Sequence, residues 1–145
     1  MKEITKLMIN EFRIKKIGYD FMGYTFVSPT DLSFHHLLVP KDKGGKEESK
    51  NGAILVRKTA HDYLHIIEKY DREIFDKITL LMIKENISGK IDLDSIKYIN
   101  ELLLIFEEKH KEDTFKNGEL IIKDIFKERF LNKRVNEYEK YNISY

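Results

Sequence analysis

Apolar residues recur along this chain with two different periods. From Ile17 to Pro29, "IGYDFMGYTFVSP" is aromatic-rich and roughly alternating, which predicts a short strand or hairpin ending at the Ser28-Pro29 turn signal. "FHHLLVP", from Phe34, is a second extended run, closed by Pro40. The polar stretch "KDKGGKEESKNG" contains Gly44-Gly45 and predicts a loop, and "AILV" after it predicts another strand. Two strands around a Gly-bearing loop make a hairpin.

The period then changes. Thr59 and Asp62 stand in a [ST]-x-x-[DE] arrangement, a capping-box-like start for the helix "AHDYLHIIEKY". Apolar residues at Ile74, Ile78, Leu81 and Met82, stopping at Ser88-Gly89, predict a second amphipathic helix. Ile96, Ile99, Leu102, Leu103 and Phe106 predict a third. A loop at Asn117-Gly118 leads to a predicted last helix carrying Lys127, Arg129, Lys133 and Arg134. The expected fold class is α+β: a small strand-strand-helix core over about residues 19–70, with a helical extension over about 71–140. The apolar stripes of that extension should pack on the hairpin or on a second copy of the chain, so a homodimer is one expectation.

At 145 residues and 17.3 kDa the chain suits one domain over residues 1–145, with a sizeable core. Lys and Arg number 26 against 25 Asp and Glu, so a nucleic-acid surface would have to come from local segregation of charge. Cysteine is absent, which excludes disulfides and thiolate metal sites and leaves His, Asp, Glu or Asn as ligands. The first residues, "MKEITKLMINEFRIKK", have no long apolar run and no small-residue cleavage site, and no later stretch is long enough to span a bilayer. No membrane partner is expected, and the expected compartment is the cytoplasm.

Four of the five histidines fall in two pairs between His35 and His65. On a helix, His61 and His65 stand one turn apart on one face, a spacing that lets two imidazoles ligate one ion. An isolated pair of this kind is more often a solvated face. His35 and His36 sit in an apolar strand, where neighbours point to opposite faces; both can serve one site only if the strand starts, ends or bulges there. Asn51-Gly52 is by itself a turn dipeptide, but it lies between the two histidine pairs. His110, in "EEKHKED", reads as a solvent-exposed residue at a charged helix end.

The order His-His, Gly-rich loop, Asn, strand and His-x3-His, written HH-x14-N-x9-H-x3-H from His35 to His65, resembles the HNH endonuclease family with its ββα-metal fold. The resemblance covers about a third of the chain, and it implies roles for particular residues. His36 resembles the general base that activates water, and His35 a metal ligand of the first strand. Asn51 resembles the middle asparagine, which orients the base in some members and binds metal in others. His61 and His65 resemble the helix histidines that complete the metal site in the colicin DNases. The family's frequent Cys-x-x-Cys zinc pairs are missing, so the hairpin must be held by packing. Small proteins of this type resemble those of phages and mobile elements.

The chemistry so implied is phosphodiester hydrolysis of DNA. It needs a deprotonated water and compensation for charge on the phosphate and leaving oxygen. An imidazole, with an ordinary pKa of about 6.5, offers a neutral base near pH 7, and one divalent ion acts as Lewis acid. Imidazole ligands favour Zn²⁺ or Ni²⁺, and an oxygen-richer set favours Mg²⁺ or Mn²⁺. Lys41, Lys43, Arg57 and Lys58 are the candidate phosphate contacts, although Asp42, Glu47 and Glu48 offset part of their charge. The alternative is an inactive metal-binding module of the same fold that regulates through nucleic-acid or protein binding.

Overall fold

The computed structural model describes residues 1–110. The predicted last helix, with Lys127, Arg129, Lys133 and Arg134, lies outside the described residues, as does the Asn117-Gly118 loop. In chain order the elements are α1 (Glu3–Glu11), α2 (Ile14–Ile17), β1 (Leu32–His36), β2 (Gly52–Val56), α3 (Asp62–Tyr70), α4 (Arg72–Ser88) and α5 (Leu93–Lys109). Helices thus surround one two-stranded antiparallel sheet, an α+β arrangement.

The two strands pair without a bulge, from Leu32 opposite Val56 to His36 opposite Gly52. Every residue of β2 is buried, because α1 and α4 both pack against it. That double coverage explains why "AILV" is continuously apolar rather than alternating. One apolar cluster runs from Met8 of α1 and the following Phe12 through Ile54 and Leu55 to Leu64, Ile78, Met82, Leu103 and Phe106. The helical half therefore packs on the hairpin through α4, and α5 joins it by way of α3 and α4. The amphipathic helix α1 is an addition to the elements read from the sequence; its Met8 and Ile9, with Phe12 just beyond, face the core.

Three local expectations change. The stretch from Ile17 to Pro29 is a tight turn with a single bridge, Tyr19 to Thr25, rather than a hairpin. The reason is Asp20, which is fully buried: its Oδ1 accepts from Met22 N (2.9 Å) and Tyr24 N (2.8 Å), and its Oδ2 from Val56 N (2.8 Å). Those carboxylate bonds take backbone donors that a ladder would otherwise use. The Thr59 capping box does not form either. The chain enters α3 through a π-helical turn, Arg57–His61, in which Asp62 N–H reaches Arg57 O, and Thr59 Oγ1 is buried without a partner among the described residues.

The third change concerns His110. Its side chain is only 12% exposed, stacks on Phe106, and places Nε2 2.8 Å from Asp71 Oδ2. Asp71 ends α3 and caps α4 by accepting from Ile74 N, and its Oδ2 also accepts from Lys109 Nζ at 3.0 Å. His110 is therefore part of a clasp between the end of α5 and the α3–α4 junction.

Candidate metal centre

Strand β1 delivers His35 one residue before its end, and helix α3 delivers His65 one turn after His61. The three imidazoles meet: one ligand nitrogen from each lies within 4.8 Å of the others, and the ring centroids are 4.8–5.7 Å apart. His35 is buried, His61 half-buried and His65 exposed, so the cluster opens on one side to solvent.

The donor chemistry suits a cation. Burial, reinforced by the neighbouring histidines, pushes His35 down to about 3. Burial likewise lowers His61 to about 4, with His65 adding and Asp62 opposing. Both rings are therefore neutral near pH 7, with lone pairs available. For His61 the tautomer follows from its partner. Ser33 Oγ donates its one proton to Leu55 O at 3.2 Å, so it must accept from His61 Nδ1, 2.9 Å away. That leaves the Nε2 lone pair of His61 free for a ligand. His35 Nε2 is buried with no hydrogen-bond partner among the described residues, an arrangement costly unless something occupies it. Three imidazoles are a donor set that fits Zn²⁺ or Ni²⁺, and further oxygen ligands would have to come from solvent or substrate.

His36 is the last residue of β1, which satisfies the condition for adjacent histidines to serve one site. It lines the same cleft as the triad, a cavity of about 1200 Å³, while its Nε2 is buried with no hydrogen-bond partner among the described residues. Its ring meets the edge of Phe34 at 4.9 Å, and Phe34 in turn lies over Gly52, where a Cβ would fall 2.1 Å from the ring. Gly52 is thus required for the stack that sets His36.

Asn51 stands elsewhere. Its Oδ1 accepts from Leu38 N and Val39 N, both at 2.9 Å, and its Nδ2 donates to Val39 O (3.1 Å) and Lys46 O (3.0 Å). The amide is fully used by loop backbone, so it makes no hydrogen bond to His36 and does not join the histidine cluster. Its effect on His36 is indirect: it fixes the chain immediately after that residue, with help from Leu37 N donating to Asn51 O at 2.8 Å. Asn86 Nδ2 of α4 holds the same loop from below through Ser49 O and Gly52 O.

Lys41 and Lys43 line the histidine cleft. Arg57 lines an adjoining groove of about 720 Å³ that also touches His61 and His65, and Lys58 lines neither. The sequence reading missed Glu68, Arg72 and Phe75, which line the cleft from α3 and α4. The signal that could have found the charged pair is helical spacing: Glu68 lies three residues after His65, and Arg72 four after Glu68. Comparison with protein-family models, curated proteins and solved structures gave no match.

Proposed function

We propose that this chain is a metal-dependent endonuclease of the HNH type, with β1, β2 and α3 as a ββα-metal core that hydrolyses DNA phosphodiesters. The observation that carries the reading is the meeting of His35, His61 and His65 beside a fourth imidazole, His36, which lines the same cleft. A structural ion alone would not call for that fourth group.

In this reading His35, His61 and His65 hold one divalent ion, which supplies Lewis-acid stabilisation of charge on the phosphate and leaving oxygen. His36 takes the proton of the attacking water, held in place by Phe34 and by the Asn51-clamped loop. Ser33 keeps His61 in the ligating tautomer. Lys41 and Lys43 on the rim, and Arg57 in the adjoining groove, attract the phosphate backbone.

The test is cleavage of supercoiled plasmid by the wild type and His36→Ala, with EDTA and with Mg²⁺, Mn²⁺, Ni²⁺ and Zn²⁺ in turn. Metal-dependent nicking that falls by about 10²–10⁴-fold in the variant supports the assignment. Full activity in His36→Ala removes that residue from the mechanism. Metal binding without cleavage of any plasmid, RNA or single-stranded substrate favours a binding module instead.

A further inference from the structure

We propose that Glu68 is the positioning carboxylate of the histidine centre and that its second oxygen sets Arg72 as an anchor for a phosphodiester anion in the same cleft. The metal half of this inference rests on the reading above.

Helix α3 places Glu68 Oε1 3.5 Å from His65 Nδ1. An imidazole facing a carboxylate carries its proton on the facing nitrogen, which leaves the lone pair on Nε2 and raises its basicity as a ligand. Glu68 thus orients His65 through a charge contact at 3.5 Å, where Ser33 holds His61 through a hydrogen bond at 2.9 Å from a different element of the fold. The other oxygen, Oε2, accepts from Arg72 Nη1 at 3.2 Å.

Arg72 is held from two further directions. Its Nε donates to Asp76 Oδ1 at 3.1 Å, and its guanidinium carbon lies 5.0 Å from the centre of the Phe75 ring. Exposed ion pairs of this kind add little to stability. Their effect here is orientation, since a guanidinium fixed by two carboxylates and an aromatic ring keeps unused N–H donors, and such a fork matches two phosphate oxygens. Arg72, Glu68 and Phe75 line the same cleft as His35, His36 and Lys41. One carboxylate therefore supports a ligand on one side and an anion-binding cation on the other.

The experiment uses the full chain. Zn²⁺ and Ni²⁺ affinities are measured by competition with a chromogenic chelator for the wild type, Glu68→Gln, Glu68→Ala and Arg72→Ala. Binding of a labelled DNA duplex is followed in EDTA across a salt series. Glu68→Ala should weaken metal binding about 10–100-fold, and Glu68→Gln, which keeps an acceptor for the imidazole N–H, should fall between it and the wild type. The melting temperature should stay near wild type in both, because Glu68 is partly exposed. Arg72→Ala should keep metal affinity and reduce the slope of log affinity against log salt by about 0.9, with Arg72→Lys restoring the slope. Wild-type metal affinity in both Glu68 variants, or an unchanged slope in Arg72→Ala, would overturn the inference while leaving the nuclease reading intact. A wild-type chain that binds no metal would sink both together.

Discussion

Glu85 lies on the inner face of α4, fully buried, and neither of its carboxyl oxygens has a hydrogen-bond partner among the described residues. Burial pushes its pKa up to about 9; the Asp20 and Asp92 charges add to the shift, while the Asp92 amide and Lys84 oppose it. The folded chain therefore keeps a proton that the unfolded chain, with this group near its ordinary 4.5, has released. Because the folded pKa is the higher one, the penalty is absent below 4.5, grows as pH rises towards about 9, and is constant above that. Its slope is about 1.4 kcal/mol per pH unit, so it amounts to roughly 3 kcal/mol at pH 7. Methionine has similar length, carries no charge and needs no partner, so Glu85→Met should stabilise the protein by about that amount at pH 7. The assay is urea unfolding followed by circular dichroism in EDTA, at about pH 7 and about pH 9. In that window His35 and His61 change protonation little on unfolding, and Asp20, which burial raises to about 7 against its backbone donors, is already half titrated at the start. The wild type should lose roughly 2 kcal/mol between the two conditions, and the variant little. A flat wild-type profile, or a variant with the wild-type slope, would refute the reasoning.

Asn51→Ala removes four hydrogen bonds to loop backbone. It should cost roughly 2–5 kcal/mol by chemical denaturation and reduce the proposed cleavage through His36; lost activity at unchanged stability would contradict the clamp. Gly52→Ala drives a Cβ into the Phe34 ring. The expected loss is about 1–3 kcal/mol with shifted His36 ring resonances in NMR spectra, and an unmoved His36 signal would argue against the stack. His110→Ala breaks a bond to a buried carboxylate and should cost about 1.5–3 kcal/mol at neutral pH. Burial alone would raise Asp71, but His110, Lys109 and the Ile74 amide outweigh it and hold its pKa near 2. Its stabilisation is present above its ordinary 3.8 and lost as pH falls towards 2, so the variant should show a smaller stability loss across that acid range. Equal acid profiles would count against the clasp.

Much of the framework was legible because it is set by neighbours a few residues apart. The periods of Ile74, Ile78 and Met82, and of Ile96, Ile99 and Leu103, specified α4 and α5, and the Gly-bearing loop between two apolar runs specified the β1–β2 hairpin. The His61–His65 spacing fixed a shared helix face. Asn51 was recognisable as a residue of interest, but its contacts are loop carbonyls and amides up to thirteen positions away, which no local pattern encodes. Asp20 looked like part of a hairpin because its bond to Val56 spans 36 positions.

By itself, then, the sequence determined the order of strands and helices, the absence of thiolate chemistry and the pairing of histidines by spacing, since each depends on residue type and short-range geometry. Only the tertiary structure decided that His35 joins His61 and His65 while His36 faces the cleft from the strand end. It also decided that His110 closes onto Asp71 and that Glu68 links a candidate ligand to Arg72. The physical reason is packing: α3 laid against the hairpin brings distant imidazoles together, and α4 turning at Asp71 carries Arg72 back to the same cleft.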